Sequence, residues 1–168
     1  MRRLLTALTG LALGLMIALG GLSPAHAAFT FRLDGSSVGT IDFGSMDPGS
    51  AKFDLPTTGI FQLDCTSDQG NAYTVFVSDS QPFTNTADGT QTIGNENFRW
   101  LGTFTTGAGT LSKSAYVNFS TLPAAVYQGV AGDAGGATQV IQMKFGLIVP
   151  ASLRGGTYTT TIRFTMTE

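Results

Sequence analysis

The chain has 168 residues, of which 42% are hydrophobic and 12% are charged, and its formal net charge is −2. It contains one cysteine, Cys65, and one histidine, His26. These counts exclude a metal site rich in Cys or His, and the acidic balance excludes a basic surface for nucleic acid. Because His26 falls within the predicted leader described next, a Ser-His-Asp or Cys-His catalytic centre is excluded as well.

The first 27 residues predict a secretory signal peptide. Arg2 and Arg3 give a positive start, residues 4–22 are apolar or small without a charge, and Ala25-His26-Ala27 supplies small residues at alternate positions. This order is typical of a leader that is cleaved after Ala27. An uncleaved membrane anchor is the alternative, because the apolar run approaches the roughly 20 residues of a spanning helix. We expect export and no membrane span after cleavage.

The remaining residues predict an all-β protein. Thr, Gly and Phe are abundant, no segment shows a sustained helical period, and alternating apolar segments are separated by Gly, Asp and Asn. Residues 78–95 are interpreted as a long surface loop. The predicted strands, in chain order, are Phe29–Leu33, Val38–Phe43, Ile60–Cys65, Tyr73–Val77, Phe98–Phe104, Tyr116–Phe119, Val126–Val130, Val140–Val149 and Tyr158–Met166. This pattern favours an immunoglobulin-like β-sandwich, although the cysteine pair of true immunoglobulin domains is absent.

Amphipathic strands are predicted at both ends of this region. The segment Tyr158–Met166 alternates almost to the end of the sequence, and Arg163 is its only charge. A strand with an apolar face at a sheet edge is normally protected against association. Either the chain's own strand Phe29–Leu33 covers this open groove, or a neighbouring subunit's strand does so by β-strand addition.

Three motifs, in this order, resemble the spore coat protein U domain and archaic chaperone–usher pilin subunit family. The segment Val38-Gly39-Thr40-Ile41-Asp42-Phe43-Gly44 is similar to the first-strand motif of that family. The segment Leu63-Asp64-Cys65-Thr66 is similar to its second strand with a cysteine. Residues 146–150, followed by Gly155-Gly156-Thr157-Tyr158, resemble its closing signature. The resemblance covers about residues 29–168.

The resemblance implies a structural subunit of a pilus, fibre or surface coat that serves adhesion or surface protection. Such a subunit passes through the periplasm to the cell surface or fimbrium. Its incomplete immunoglobulin-like sandwich is completed by donor-strand complementation. The implied partners are a periplasmic chaperone, an outer-membrane usher, and other copies or related pilin subunits. The chain then divides into a signal peptide (1–27), a short donor-like strand (28–37) and the β-sandwich domain (38–168).

The resemblance also assigns residues to the two sides of the assembly contact. The donor residues are Phe29, Phe31 and Leu33. The predicted acceptor residues, which would form the groove for the donor strand, are Val38, Ile41, Phe43, Ile162, Phe164 and Met166. The family's usual cysteine partner for the position of Cys65 is absent, so Cys65 is either a buried small residue or an intermolecular link.

No cofactor, metal site or catalytic activity is predicted from the sequence. Most acidic residues stand beside turn residues, and no segment has the ligand spacing of a calcium loop. The alternative function is a secreted, self-complete β-sandwich that binds carbohydrate or a surface ligand through the exposed aromatic residues Trp100, Tyr116 and Tyr127. For Trp100, packing in the core between the sheets is the competing interpretation.

Overall fold

The computed structural model describes residues 29–33, 40–67, 70–133 and 138–168, with the backbone alone for residues 29–33 and 67. The predicted signal peptide and Val38 lie outside the described residues. No helix in these ranges is long and apolar enough to cross a membrane.

The described residues form an all-β structure, as predicted. One short 3-10 turn, Asn95–Asn97, interrupts the strands. The strands are β1 (Phe29–Leu33), β2 (Ala51–Leu55), β3 (Phe61–Ser67), β4 (Tyr73–Asp79), β5 (Phe83–Asn85), β6 (Thr92–Ile93), β7 (Phe98–Thr105), β8 (Thr110–Leu111), β9 (Val117–Asn118), β10 (Ala124–Gly129), β11 (Gln139–Ile148), β12 (Tyr158–Thr159) and β13 (Ile162–Thr167).

The strands pair antiparallel in three sheets that enclose one core. The six-stranded sheet has the order β1-β3-β11-β7-β9, and β2 pairs with the part of β11 beyond β3. The four-stranded sheet has the order β13-β4-β10-β8, and a small sheet has the order β12-β5-β6. The prediction of an all-β sandwich is therefore confirmed, and β4, which contains the predicted strand Tyr73–Val77, lies between β13 and β10.

The core follows from the two-residue period of the strands. On β11, Ile141, Met143 and Phe145 are almost fully buried, whereas Gln142 and Lys144 between them are partly exposed. Because successive side chains of a strand point to opposite faces, this alternation directs the apolar set toward the opposite sheet. Each large apolar side chain buried in this way contributes about 1.5–3 kcal/mol to the stability of the fold.

The predicted strand Val38–Phe43 is wrong over its described part. Residues 40–43 belong to no sheet, and the paired strand that follows β1 is β2, which the sequence did not reveal. The Asp42 carboxylate accepts a hydrogen bond of 2.7 Å from the backbone N–H of Gly44, which has a φ of 65°. This local turn directs the chain away from an extended ladder.

Two other element predictions also need correction. Residues 78–95 are not wholly a surface loop, because β5 and β6 lie within them. The single strand predicted over Tyr158–Met166 is divided into β12 and β13, which belong to different sheets. The division occurs at Thr160 and Thr161, where the backbone N–H of Ser80 donates 2.9 Å to the Thr161 carbonyl.

Strand β1 pairs with β3 of its own chain along its whole length. The register places Phe31 opposite Cys65, Leu33 opposite Leu63, and Arg32 opposite Asp64. The thiol of Cys65 is free and its residue is 0% exposed. Of the two interpretations of Cys65, the structure shows the buried small residue.

We expect the Cys65 thiol to be unreactive in the native protein. Burial, together with the negative charges of Asp64 and Asp133, raises the pKa of this thiol to about 12. Labelling by a disulfide reagent at pH 8 should therefore be at least about 100-fold slower in native than in denatured protein, since it requires local opening. Complete labelling of native protein within seconds would show that β1 does not cover β3 in solution.

Candidate strand-acceptor site

A groove with a volume of about 520 Å³ lies between the segment that precedes β2 and the loop that joins β11 to β12. Residues 40–46 form one wall and residues 153–159 form the other. The apolar floor consists of Phe83, Ile93, Leu147 and Val149. We call this feature the acceptor groove.

The first wall is held in place by the ring and the backbone carbonyl of Phe43. The ring of Phe43 lies edge-on to Phe83 and Phe98, with centroid distances of 6.2 and 6.1 Å. The Lys52 ammonium donates 2.8 Å to the Phe43 carbonyl. Within the described residues, the backbone of residues 40–46 pairs with no strand. The wall therefore combines an apolar lining with backbone groups that an added strand could pair with.

The second wall is fixed by hydrogen bonds from neighbouring elements. The Tyr158 hydroxyl donates 2.8 Å to the Arg154 carbonyl, and the backbone N–H of Thr86 donates 2.8 Å to the Thr157 carbonyl. At Gly156 an added Cβ would lie 2.2 Å from the Asn85 side-chain nitrogen. The absence of a side chain at Gly156 therefore lets this wall pack closely against β5.

Strand β13 forms an open edge of the four-stranded sheet. It pairs with β4 on one side, and in the described ranges no strand pairs with its other side. Phe164 lies opposite Val77, yet Val77 is 1% exposed whereas Phe164 is only partly buried. The Phe164 ring reaches Phe61 of the facing sheet at 5.4 Å. The sandwich is therefore incompletely covered along β13, and we call this side the β13 edge.

The structure brings together only part of the predicted acceptor set. Ile41 and Phe43 line the acceptor groove, whereas Ile162, Phe164 and Met166 lie along β13 and not in its lining. The predicted donor residues Phe29, Phe31 and Leu33 belong to β1, which pairs with β3 rather than with the β13 edge. The chain's own N-terminal strand therefore does not cover the last strand, and the donor role of these three residues stays a prediction.

Two of the three predicted stacking residues are wrong because their rings are buried. Trp100 is 1% exposed and Tyr127 is 0% exposed, so neither ring can meet a ligand. Both lie on central strands and point into the core, as the competing interpretation of Trp100 held. Tyr116 is partly exposed and contacts Phe53.

The sequence did not reveal Phe83, Ile93 or Leu153 as groove residues. Phe83 and Ile93 are isolated apolar residues within a segment rich in turn residues, and they become neighbours only through the pairing of β5 with β6. Their apolar character in an otherwise polar segment was the one signal that could have identified them.

A second group of polar residues surrounds the buried carboxylate of Asp133. Its Oδ2 atom accepts hydrogen bonds from the hydroxyls of Tyr127 and Tyr73, the latter at 3.3 Å, and its Oδ1 atom accepts one of 2.7 Å from the Ala108 N–H. Burial and the hydrogen bond to Asp133 raise the pKa of Tyr127 to about 12. We call these residues the Asp133 cluster, and its complete pairing indicates a structural role.

Over the described ranges, no set of three or more His, Cys, Asp and Glu side chains is arranged to hold a metal ion.

No protein-family model matches the chain, and no curated protein matches it. Among solved structures, the chain is similar to a family 123 glycoside hydrolase from Clostridium perfringens, studied for glycolipid glycan hydrolysis, with a TM-score of 0.40 and 15% identity. The similarity covers 73% of this chain and 19% of the hydrolase, so the chain spans about a fifth of that protein. Against this similarity to an enzyme the prediction that catalysis is absent is withdrawn, and a TM-score of 0.40 assigns no activity to the chain.

Proposed function

We propose that the chain is an exported structural subunit of a surface pilus, fibre or coat, assembled by β-strand addition and serving adhesion or surface protection. The observation that carries the proposal is the apolar acceptor groove, whose first wall, with Ile41 and Phe43, pairs with no strand in the described residues. The motif resemblance described above supports the same function. It also supplies the expected partners, which are a periplasmic chaperone, an outer-membrane usher and related subunits.

The incoming strand would bind through both its backbone and its side chains. Its backbone would pair with residues 40–46, which gives affinity, and its alternate apolar side chains would fill the groove above Phe83 and Ile93. The β13 edge offers a further row of unpaired backbone groups, with Ile162 and Phe164 beneath it. A strand from a chaperone or from another subunit fits this chemistry, because β1 of the same chain already pairs with β3.

Substitution of Ile41 with arginine is expected to abolish assembly. The side chain is partly buried in the groove, so a guanidinium there would occupy the space of the donor's apolar residues and would lose hydration. Mature protein is released from its chaperone and analysed by light scattering and by gels of unheated and heated samples. The wild type should form SDS-resistant multimers, and the variant should show at least about a tenfold lower yield of them. This corresponds to a loss of about 1.4 kcal/mol in the free energy of association.

Thr103→Arg is the matched control, because Thr103 is exposed on β7 outside the groove lining. It should assemble as the wild type does. A wild-type protein that stays monomeric at high concentration after chaperone release contradicts strand addition. Multimers that survive Ile41→Arg unchanged contradict the assignment of this groove.

A further inference from the structure

The outer face of the six-stranded sheet carries a pair of partly exposed aromatic rings. Phe53 and Tyr116 meet edge-to-face with a centroid distance of 5.1 Å and an interplanar angle of 64°. Phe53 lies directly on Gly146, where an added Cβ would be 2.2 Å from the ring. The pairing of β2 with β11 is irregular at this point, between Phe145 and Leu147. Gly146, which has no side chain, and this irregularity in the pairing together let the Phe53 ring pack on the sheet.

Tyr116 is fixed in place through Asp54. Its hydroxyl donates 2.9 Å to an Asp54 carboxylate oxygen and accepts 3.0 Å from the Asp54 backbone N–H. Asp54 has a φ of 61°, and it is the residue other than glycine that has a positive φ in the described part of the chain. The left-handed conformation turns the carboxylate and the backbone N–H of Asp54 toward the Tyr116 hydroxyl. A ligand would therefore meet rings that are already ordered, which reduces the entropic cost of binding.

Two cationic side chains lie on the same face. Arg99 is directly opposite Gly146 in the register of β7 and β11, and Lys144 precedes Gly146 by two residues. Since opposite residues share a face and residues two apart on a strand do too, both point to the side that carries Phe53. The Lys144 ammonium donates to the carbonyls of Pro56 and Asp54, at 3.0 and 3.3 Å.

Arg99 differs from Lys144 in having no acceptor among the described residues. Its buried Nε atom has no hydrogen-bond partner, and its side chain makes no ion pair within the described residues. A guanidinium that is partly buried without an acceptor costs desolvation free energy that a carboxylate ligand would offset by a charge-assisted, bidentate hydrogen bond.

We propose that this outer face binds a carboxylated sugar. The apolar face of the sugar ring packs on Phe53 and Tyr116, and the sugar carboxylate pairs with the guanidinium of Arg99. Lys144 adds a second positive charge, and the exposed Asp54 carboxylate can accept a sugar hydroxyl. The site is separate from the acceptor groove, so it does not depend on strand addition.

The test measures binding of a hyaluronan tetrasaccharide, whose glucuronate units carry carboxylates, and of the same oligosaccharide after reduction of its carboxyl groups. Titrations by calorimetry and by amide chemical shifts use the full mature chain. We expect the carboxylated form to bind about tenfold more tightly or better, with shifts centred on Phe53, Arg99 and Tyr116. Equal binding of both forms, or no binding of either, overturns the proposal.

Single substitutions then test which side chain pairs with the sugar carboxylate. Arg99→Gln should remove the preference for the carboxylated form, and Arg99→Lys should restore part of it. Tyr116→Phe keeps the ring and should retain the preference. Arg163→Gln is the matched control, since Arg163 is exposed on β13 in the other sheet. A preference that persists in Arg99→Gln, with the native circular dichroism spectrum, rejects the proposed role of Arg99.

Discussion

Replacing Trp100 with alanine is expected to lower the free energy of unfolding by about 3–5 kcal/mol, the usual cost of truncating a buried large aromatic residue. Trp100 is 1% exposed on β7, between β11 and β9. It lies opposite Phe145, which is 0% exposed, and opposite Val117. The cavity would open beside Phe145 of β11 and Val117 of β9. Both strands pair with β7, so neither can move to fill the cavity without breaking its hydrogen bonds to β7.

The effect is measured by urea unfolding followed by far-ultraviolet circular dichroism. Tryptophan fluorescence cannot serve, because Trp100 is the only tryptophan of the chain. Phe104→Ala is the matched control, since Phe104 lies on the same strand and is 48% exposed. A loss below about 1 kcal/mol in Trp100→Ala would mean that the ring is not part of a close-packed core.

Asp133→Ala is expected to have the second largest effect, a loss of about 3 kcal/mol. The substitution leaves the hydroxyls of Tyr73 and Tyr127 and the N–H of Ala108 without their acceptor, and each buried unsatisfied group costs roughly 1–3 kcal/mol. Some of this cost will be recovered by water, so the sum is smaller than three full penalties. Urea unfolding of the wild type and variant gives the difference directly.

A graded pair of controls separates the Asp133 cluster from a general effect of removing charge. Tyr127→Phe removes one donor to Asp133 and the acceptor of the Gly109 N–H, and should cost about 1 kcal/mol. Asp88→Ala removes an exposed carboxylate that accepts hydrogen bonds from Thr90, and the unfolding midpoint should stay close to that of the wild type. Equal effects of Asp133→Ala and Asp88→Ala would contradict the cluster's structural role.

The strands that sequence analysis predicted well are those with a long apolar period. The segments of β4 and β11 alternate over seven and ten residues, and their side chains fill the core on one face. For these segments the local pattern and the tertiary position require the same residues, so the pattern is sufficient. The buried position of Cys65 also follows from its place in the alternating segment of β3.

The elements that the sequence did not reveal depend on distant partners. The sequence of β2, Ala-Lys-Phe-Asp-Leu, alternates over only five residues, and its partner is the distant β11, where Phe53 contacts Gly146. The acceptor groove was predicted in part, through Ile41 and Phe43. Its floor was not, since Phe83 and Ile93 meet it only after two very short strands pair. Two of the three aromatic residues predicted to stack on a ligand, Trp100 and Tyr127, are buried, since aromatic content does not distinguish core from surface.

The proposed addition of a donor strand at the β13 edge has a consequence for the symmetry of the assembly. A strand that is added beside β13 contacts this edge with a different surface of its own subunit, so the two halves of the contact are not equivalent. Contacts of this kind cannot close a twofold dimer, and repetition of one rotation and translation gives an open filament. In such a filament only the subunit at one end keeps a free β13 edge, so growth has a direction.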